Sequence, residues 1–198
     1  MLAEISAHIL FVNACKICTF AENFRLETME VLINDSDLRT AASDGMDAFV
    51  RLVSGRILDA VGGQLTAENM GQLTADQITL LAYETFRSEV MDGGFVQLIH
   101  NGYGPFIFLN PFAKAMNQWG AREFRNLVYD GRRLYEKYAK ELECDCTDEE
   151  FMALFEQYPE FDDLDDRFVE MEEEVTELVA RYVDEHISDF VSITAEYR

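Results

Sequence analysis

Long apolar runs are missing from this chain: no stretch approaches the roughly 18 residues that a membrane-spanning helix needs. Only three prolines occur, at positions 105, 111 and 159, and there is no Pro- or Ser-rich linker, low-complexity tail or internal repeat. Cysteine is sparse. Cys15, Cys18, Cys144 and Cys146 are too few, in 198 residues, for the disulfide framework of a small secreted domain. A start such as Val12-Asn13-Ala14-Cys15 loosely resembles a lipoprotein cleavage site. However, no Lys or Arg precedes it within Met1 to His8, and Ile9 to Val12 is too short for a signal core. The expected setting is therefore a reducing cytoplasm, with no membrane. Basic residues are also scarce, at 16 against 38 acids, for a net charge of −22. Such a chain repels nucleic acid and anionic lipid and attracts basic surfaces.

What is present is aromatic and helical. Fifteen Phe and eight Tyr argue against disorder despite the charge, and the length suffices for a buried core without metal or disulfides. Strand-like alternation is nearly absent, while apolar residues recur at helical spacing. The expected fold is all-α: a single compact multi-helix domain over 41–198 with a long acidic C-terminal helix, and an N-terminal extension over 1–40, partly helical around Phe24 to Ile33.

The helices can be read in order. Asp44 is placed as an N-cap before Met46, Phe49, Val50, Val53, Ile57 and Val61, with a stop at Gly62-Gly63. Thr74 with Gln77 forms a capping-box pattern that opens a helix ending at Gly93-Gly94. A short helix between glycine turns follows. Asn110 caps a helix with Pro111 at its first position. The next helix runs from about Ala121 to Leu142. Thr147 with Glu150 is a second capping box, and the last helix runs from about Phe161 to His186.

Charge is placed unevenly. Residues 1–140 hold 17 acids and 13 bases, whereas 141–185 hold 19 acids and two bases. In the last helix, Leu164, Phe168, Met171, Val175, Leu178 and Tyr182 form the expected inward stripe. Around it stand Asp162, Asp163, Asp165, Asp166, Glu170, Glu172, Glu173, Glu174 and Glu177. Nine acids over about 23 Å give one charge per about 2.6 Å, between duplex DNA at about 1.7 Å and a single strand at about 3.4 Å. Charge physics by itself reads such a run as a solvated face, although like charges one turn apart cost about 0.2–0.5 kcal/mol per pair. No EF-hand spacing or glycine turn makes Asp162–Asp166 a calcium loop.

Two other places carry polar chemistry. The segment from Gly93 to Gly104 brings Gln97, His100, Asn101 and Tyr103 between glycines. It is either a small-ligand or catalytic pocket, or a structural turn with Phe95 in the core and Gln97 and Asn101 bonded to loop backbone. No nucleophile–base pair accompanies it, and no phosphate-loop lysine follows. Cys15 and Cys18 with Cys144 and Cys146 could make a zinc site, but the second pair is closer spaced than usual and lies among acids, so free thiols are expected. His8, His100 and His186 have no metal-ligand spacing. No metal and no cofactor are expected, and no catalytic residue is assigned.

Two stretches together resemble a known family. One is Glu89-Val90-Met91-Asp92-Gly93-Gly94-Phe95-Val96-Gln97-Leu98-Ile99-His100-Asn101. The other is Phe161-Asp162-Asp163-Leu164-Asp165-Asp166-Arg167-Phe168, with Tyr182 and His186 beyond it. In this order they are similar to the bacterial DNA-mimic protein family, whose domain is otherwise of unknown function, over roughly 45–190. The resemblance implies an all-helical, non-enzymatic protein. A characterised member is a dimeric mimic that occupies the DNA-binding surface of a transcription factor. It therefore implies a basic DNA-binding protein as partner, no direct contact with nucleic acid, and a homodimer. Gly93, Gly94, Phe95, Gln97 and Asn101 match the family motif as structural residues. The phosphate-mimicking candidates, taken from the acidic helix, are Asp162, Asp163, Asp165, Asp166, Glu170, Glu173, Glu174 and Glu177.

Overall fold

The computed structural model describes residues 29–194. Among them are nine α-helices, two single 3-10 turns and one two-stranded parallel sheet, so the all-α expectation holds. The described residues fall into two compact units, 29–81 with 176–194, and Ala82–Val175.

In the first unit, strand β1 (Leu32–Asn34) pairs in parallel with β2 (Ser192–Thr194). The helix expected around Phe24 to Ile33 is not formed over its described end. Val31 and Ile33 are buried while Leu32 is exposed, which is the period-two pattern of a strand. The strand leads directly into α1 (Asp35–Asp44), then Gly45 at φ 120° and α2 (Met46–Ala60). Asp44 therefore ends one helix and does not cap the next: the junction residue is Gly45, whose conformation suits glycine, and no side chain caps α2. Phe49, Val50, Val53 and Ile57 form the buried face of α2. Its end at Gly62-Gly63 is as expected, with both glycine N–H groups donating to the final turn.

Helix α3 (Ala75–His100) opens on the predicted capping box. The Gln77 N–H donates to Thr74 Oγ1 at 3.1 Å, and the Thr74 N–H donates to Gln77 Oε1 at 2.9 Å. The Gln77 side chain is buried and its amide also donates to the Phe190 carbonyl at 2.7 Å. The cap thus also ties the start of α3 to the chain's C-terminal segment.

The second unit takes α3 from Ala82 onward. Gly93 and Gly94 leave helical geometry and bend it. After it come α4 (Gly104–Phe108), α5 (Phe112–Gln118), α6 (Arg122–Leu142), α7 (Asp148–Gln157), a 3-10 turn at Pro159–Phe161, and α8 (Asp162–Glu185) as far as Val175. The remaining turns of α8, and α9 (Ile187–Phe190), belong to the first unit. Asn110 accepts the Phe112 N–H at 2.7 Å, one position away from a standard cap, because Pro111 holds the position between them. The Thr147–Glu150 capping box of α7 is complete.

The core of this unit is aromatic. Phe86 lies edge-on to Phe168 at 4.9 Å, Phe124 at 5.0 Å and Phe95 at 5.3 Å between centroids, and all four rings are fully buried. Such edge-to-face pairs add about 0.5–1.5 kcal/mol each beyond burial of their area. Gly131 of α6 is required here, since a Cβ would stand 2.5 Å from the Phe95 ring.

The inward stripe of α8 needs one correction. Leu164, Phe168 and Val175 are buried as expected, but farther along Thr176, Val179 and Val183 are buried and Leu178 and Tyr182 are only half-buried. A 4-3-4-3 pattern repeats every 3.5 residues, whereas a straight helix turns every 3.6. The buried line therefore drifts by about 20° per heptad, toward the following residue.

Candidate partner-binding surface

Around α8, at about 100° per residue, the acids divide into two groups. Asp162, Glu173, Asp166, Glu170, Asp163 and Glu174 fall in that angular order within an arc of about 120° on the side away from Phe168. All six are exposed. Asp163 lies 3.7 Å from Arg167, which is itself held at 3.0 Å by Asp130 of α6. Asp162, Asp166, Glu170, Glu173 and Glu174 form no ion pair among the described residues. Glu177 belongs to the first unit, where it pairs with Arg181 at 2.8 Å.

Asp165 and Glu172 lie on the opposite flank, against α3. Arg87 donates to Glu172, with only 19% and 16% of the two side chains exposed. Asp165 Oδ1 accepts the Phe95 N–H at 2.8 Å. That N–H opens the helical stretch beyond the bend, so Asp165 serves as its N-terminal cap from another helix. Burial pushes the Asp165 carboxyl up to about 6, against the opposing pull of the Phe95 N–H, and Asp162 and Asp166 raise it further. Gly94 is what admits the carboxylate. Its φ is 72°, and a Cβ there would meet Asp165 Oδ2 at 2.4 Å. The two sequence motifs therefore meet in one joint, in which the Gly-Gly-Phe bend receives the Asp165 side chain.

With Asp165 turned inward, six acids spread over the 162–174 stretch of about 18 Å, or one per about 3 Å, near the phosphate spacing of a single strand.

The Gly93–Gly104 segment is bound up in itself. Gln97 donates to Glu89 at 3.2 Å and to Asp92 at 2.9 Å, and Asn101 donates to Glu89 at 2.8 Å. The partners are carboxylates, not the loop backbone anticipated from sequence, because the bend folds Glu89 and Asp92 back over the following turn. His100 donates from Nδ1 to the Leu142 carbonyl at 2.9 Å and lies 4.6 Å from the Phe151 ring. Tyr103 has its hydroxyl pKa raised by burial and by Glu89. Gln97, His100 and Asn101 thus each hold a partner within the fold. Sequence reasoning quoted Glu89 and Asp92 in the motif without assigning their roles and did not single out Arg87, since their partners lie across a bend or on another helix.

Cys15, Cys18 and His8 lie outside the described residues. Cys144 is exposed, and Cys146 Sγ is 3.9 Å from His100 Nε2. Among the described residues, no cluster of three or more His, Cys, Asp or Glu could hold a metal ion, and no helix is long and apolar enough to cross a membrane.

The family model for DMP19-like proteins matches residues 71–186, which includes both motifs. The DNA mimic protein DMP19 of Neisseria meningitidis serogroup B is 33% identical over 127 residues, covering 64% of this chain and 77% of that protein. On this match, spanning more than half the chain, the protein belongs to the DMP19-like family.

Proposed function

We propose that this protein is a non-enzymatic DNA mimic that occupies the basic DNA-binding surface of a transcription factor or another nucleic-acid-binding protein in the cytoplasm. The observation that carries the proposal is the exposed arc of Asp162, Asp163, Asp166, Glu170, Glu173 and Glu174. Five of these six carboxylates have no cation beside them among the described residues, at a spacing close to that of phosphates. The name of the Neisseria relative supports the same reading. Asp165 is proposed as part of the scaffold and not of the contact surface, since its carboxylate is held by the Phe95 N–H. The alternative of a small-ligand site at Gly93–Gly104 has less support, because Gln97, His100 and Asn101 already hold structural partners.

The test is competition. The protein is immobilised, basic proteins of the source cell are captured at low salt, and the column is washed with duplex DNA. A mimic releases a DNA-binding protein into the DNA wash, and its affinity falls by roughly a thousandfold between 50 and 200 mM salt. Retention of every captured protein through the DNA wash counts against the proposal.

A further inference from the structure

An apolar pair stands beside the acidic arc, on the rim of the seam between α3 and α8. Two contacts set the register of that seam. Arg87 meets Glu172, and Gly94 meets Asp165. The interval from Arg87 to Gly94 equals that from Asp165 to Glu172, so the helices run antiparallel along the seam. Met91, one turn beyond Arg87, therefore falls in the same stretch of the seam as Phe168 and Val169, one turn before Glu172. Met91 is 49% exposed and Val169 58% exposed, although Val90 and Phe168 beside them are buried. On the helical wheel Val169 falls between the seam acids and Asp162, at the near edge of the arc. Met91 is its counterpart on the α3 side.

Singly exposed apolar residues are ordinary on protein surfaces. This pair differs in its surroundings. It stands on two facing helices, each member within one turn of a partner in the largely buried Arg87–Glu172 ion pair, and beside a run of unneutralised carboxylates. Proteins that read DNA meet the same combination, phosphates on the flank and apolar thymine methyls in the groove. Methionine suits such a contact, since its unbranched, polarisable chain adapts to different partners.

Resting on the mimic reading above, we propose that Met91 and Val169 are the apolar anchor of the interaction surface, taking up an apolar side chain carried by a basic helix of the partner. The acidic arc then supplies attraction and encounter rate, and the anchor supplies preference among basic partners.

Two synthetic helical peptides of equal positive charge test this. One is built of Lys and Ala, and the other has Leu in place of Ala along one face. Binding is measured by titration across a salt series for the wild type, for the double variant Met91→Gln, Val169→Gln, and for a charge-reversed variant Asp166→Lys, Glu170→Lys, Glu173→Lys. The expected result is that the wild type prefers the Leu peptide by about tenfold. The glutamine variant is expected to lose that preference with its salt slope unchanged. Equal binding of the two peptides by the wild type, or a preference that persists in the glutamine variant, overturns the anchor and leaves the acidic arc standing. If the charge-reversed variant keeps the full salt slope, the arc itself fails, and with it the mimic reading. Both substituted positions are exposed, and circular dichroism checks that helicity is kept.

Discussion

Helices α6 and α8 both turn a charged face to solvent, within or partly within the same unit, and their charges are wired in opposite ways. On α6, Arg132 pairs with Glu136 at 2.8 Å, Arg133 pairs with Asp130, and Lys137 reaches Glu160 at 3.3 Å. Each of these three cations has a carboxylate within reach, the usual arrangement of a solvated helix, worth a few tenths of a kcal/mol per pair. On α8 the outer arc carries six carboxylates, of which only Asp163 has a cation nearby. The same helix does pair or cap the acids on its inner flank, through Arg87 and the Phe95 N–H. The unpaired state of the arc is therefore local to its solvent side. A face that accepts repulsion on one side only is suited to an incoming basic partner.

The sharpest way to break the comparison is to reverse charges on each helix. Asp166→Lys, Glu170→Lys and Glu173→Lys together should lower affinity for the DNA-displaceable partner by more than about a hundredfold. Arg132→Glu with Lys140→Glu on α6 should change it by less than about threefold. Equal losses on the two helices would mean that net charge, and not the arc, sets affinity.

Stability separates the inner and outer ion pairs. Arg87→Ala removes the guanidinium that meets Glu172 in a largely buried site, and should cost about 3 kcal/mol in denaturant unfolding. Arg132→Ala on the exposed face should cost under about 0.5 kcal/mol.

Gly94→Ala tests the joint between the motifs. The positive φ and the 2.4 Å approach to Asp165 act together, so a loss of at least about 2 kcal/mol is expected. A thermal melt unchanged from wild type would dissociate the Gly-Gly bend from Asp165.

The smallest effect is one of pH. Asp165 titrates near 6 in the folded chain, above its ordinary value of about 4. Between those values the folded state binds more protons than the unfolded one, so this group's contribution to stability falls as pH rises from about 4 to 6. Asp165→Asn keeps an oxygen for the Phe95 N–H and removes the titration. Its stability relative to wild type should therefore rise with pH across this window and level off above about 6. A flat difference would place the Asp165 titration elsewhere.

Much of the fold was legible from local chemistry. The Thr74–Gln77 and Thr147–Glu150 boxes, the Gly62-Gly63 stop and the α6 limits all rest on interactions within a few residues of one another. Two of the misreadings arose where a distant partner decides. β1 exists because Leu32–Asn34 pairs with Ser192–Thr194, and no spacing near Leu32 encodes that. Asp165 looked like its acidic neighbours because nothing local separates it from Asp162 or Asp166.

The sequence by itself determined that this chain is helical, acidic and charged most heavily along one C-terminal helix, because caps, periodicity and composition act over a few residues. Only the tertiary structure decided which of those acids face out. Packing of α8 against the bend at Gly93-Gly94 turns Asp165 and Glu172 inward to an N–H and a guanidinium. A helix's own periodicity gives its faces relative to one another, but only the helix that packs against it determines which face meets solvent.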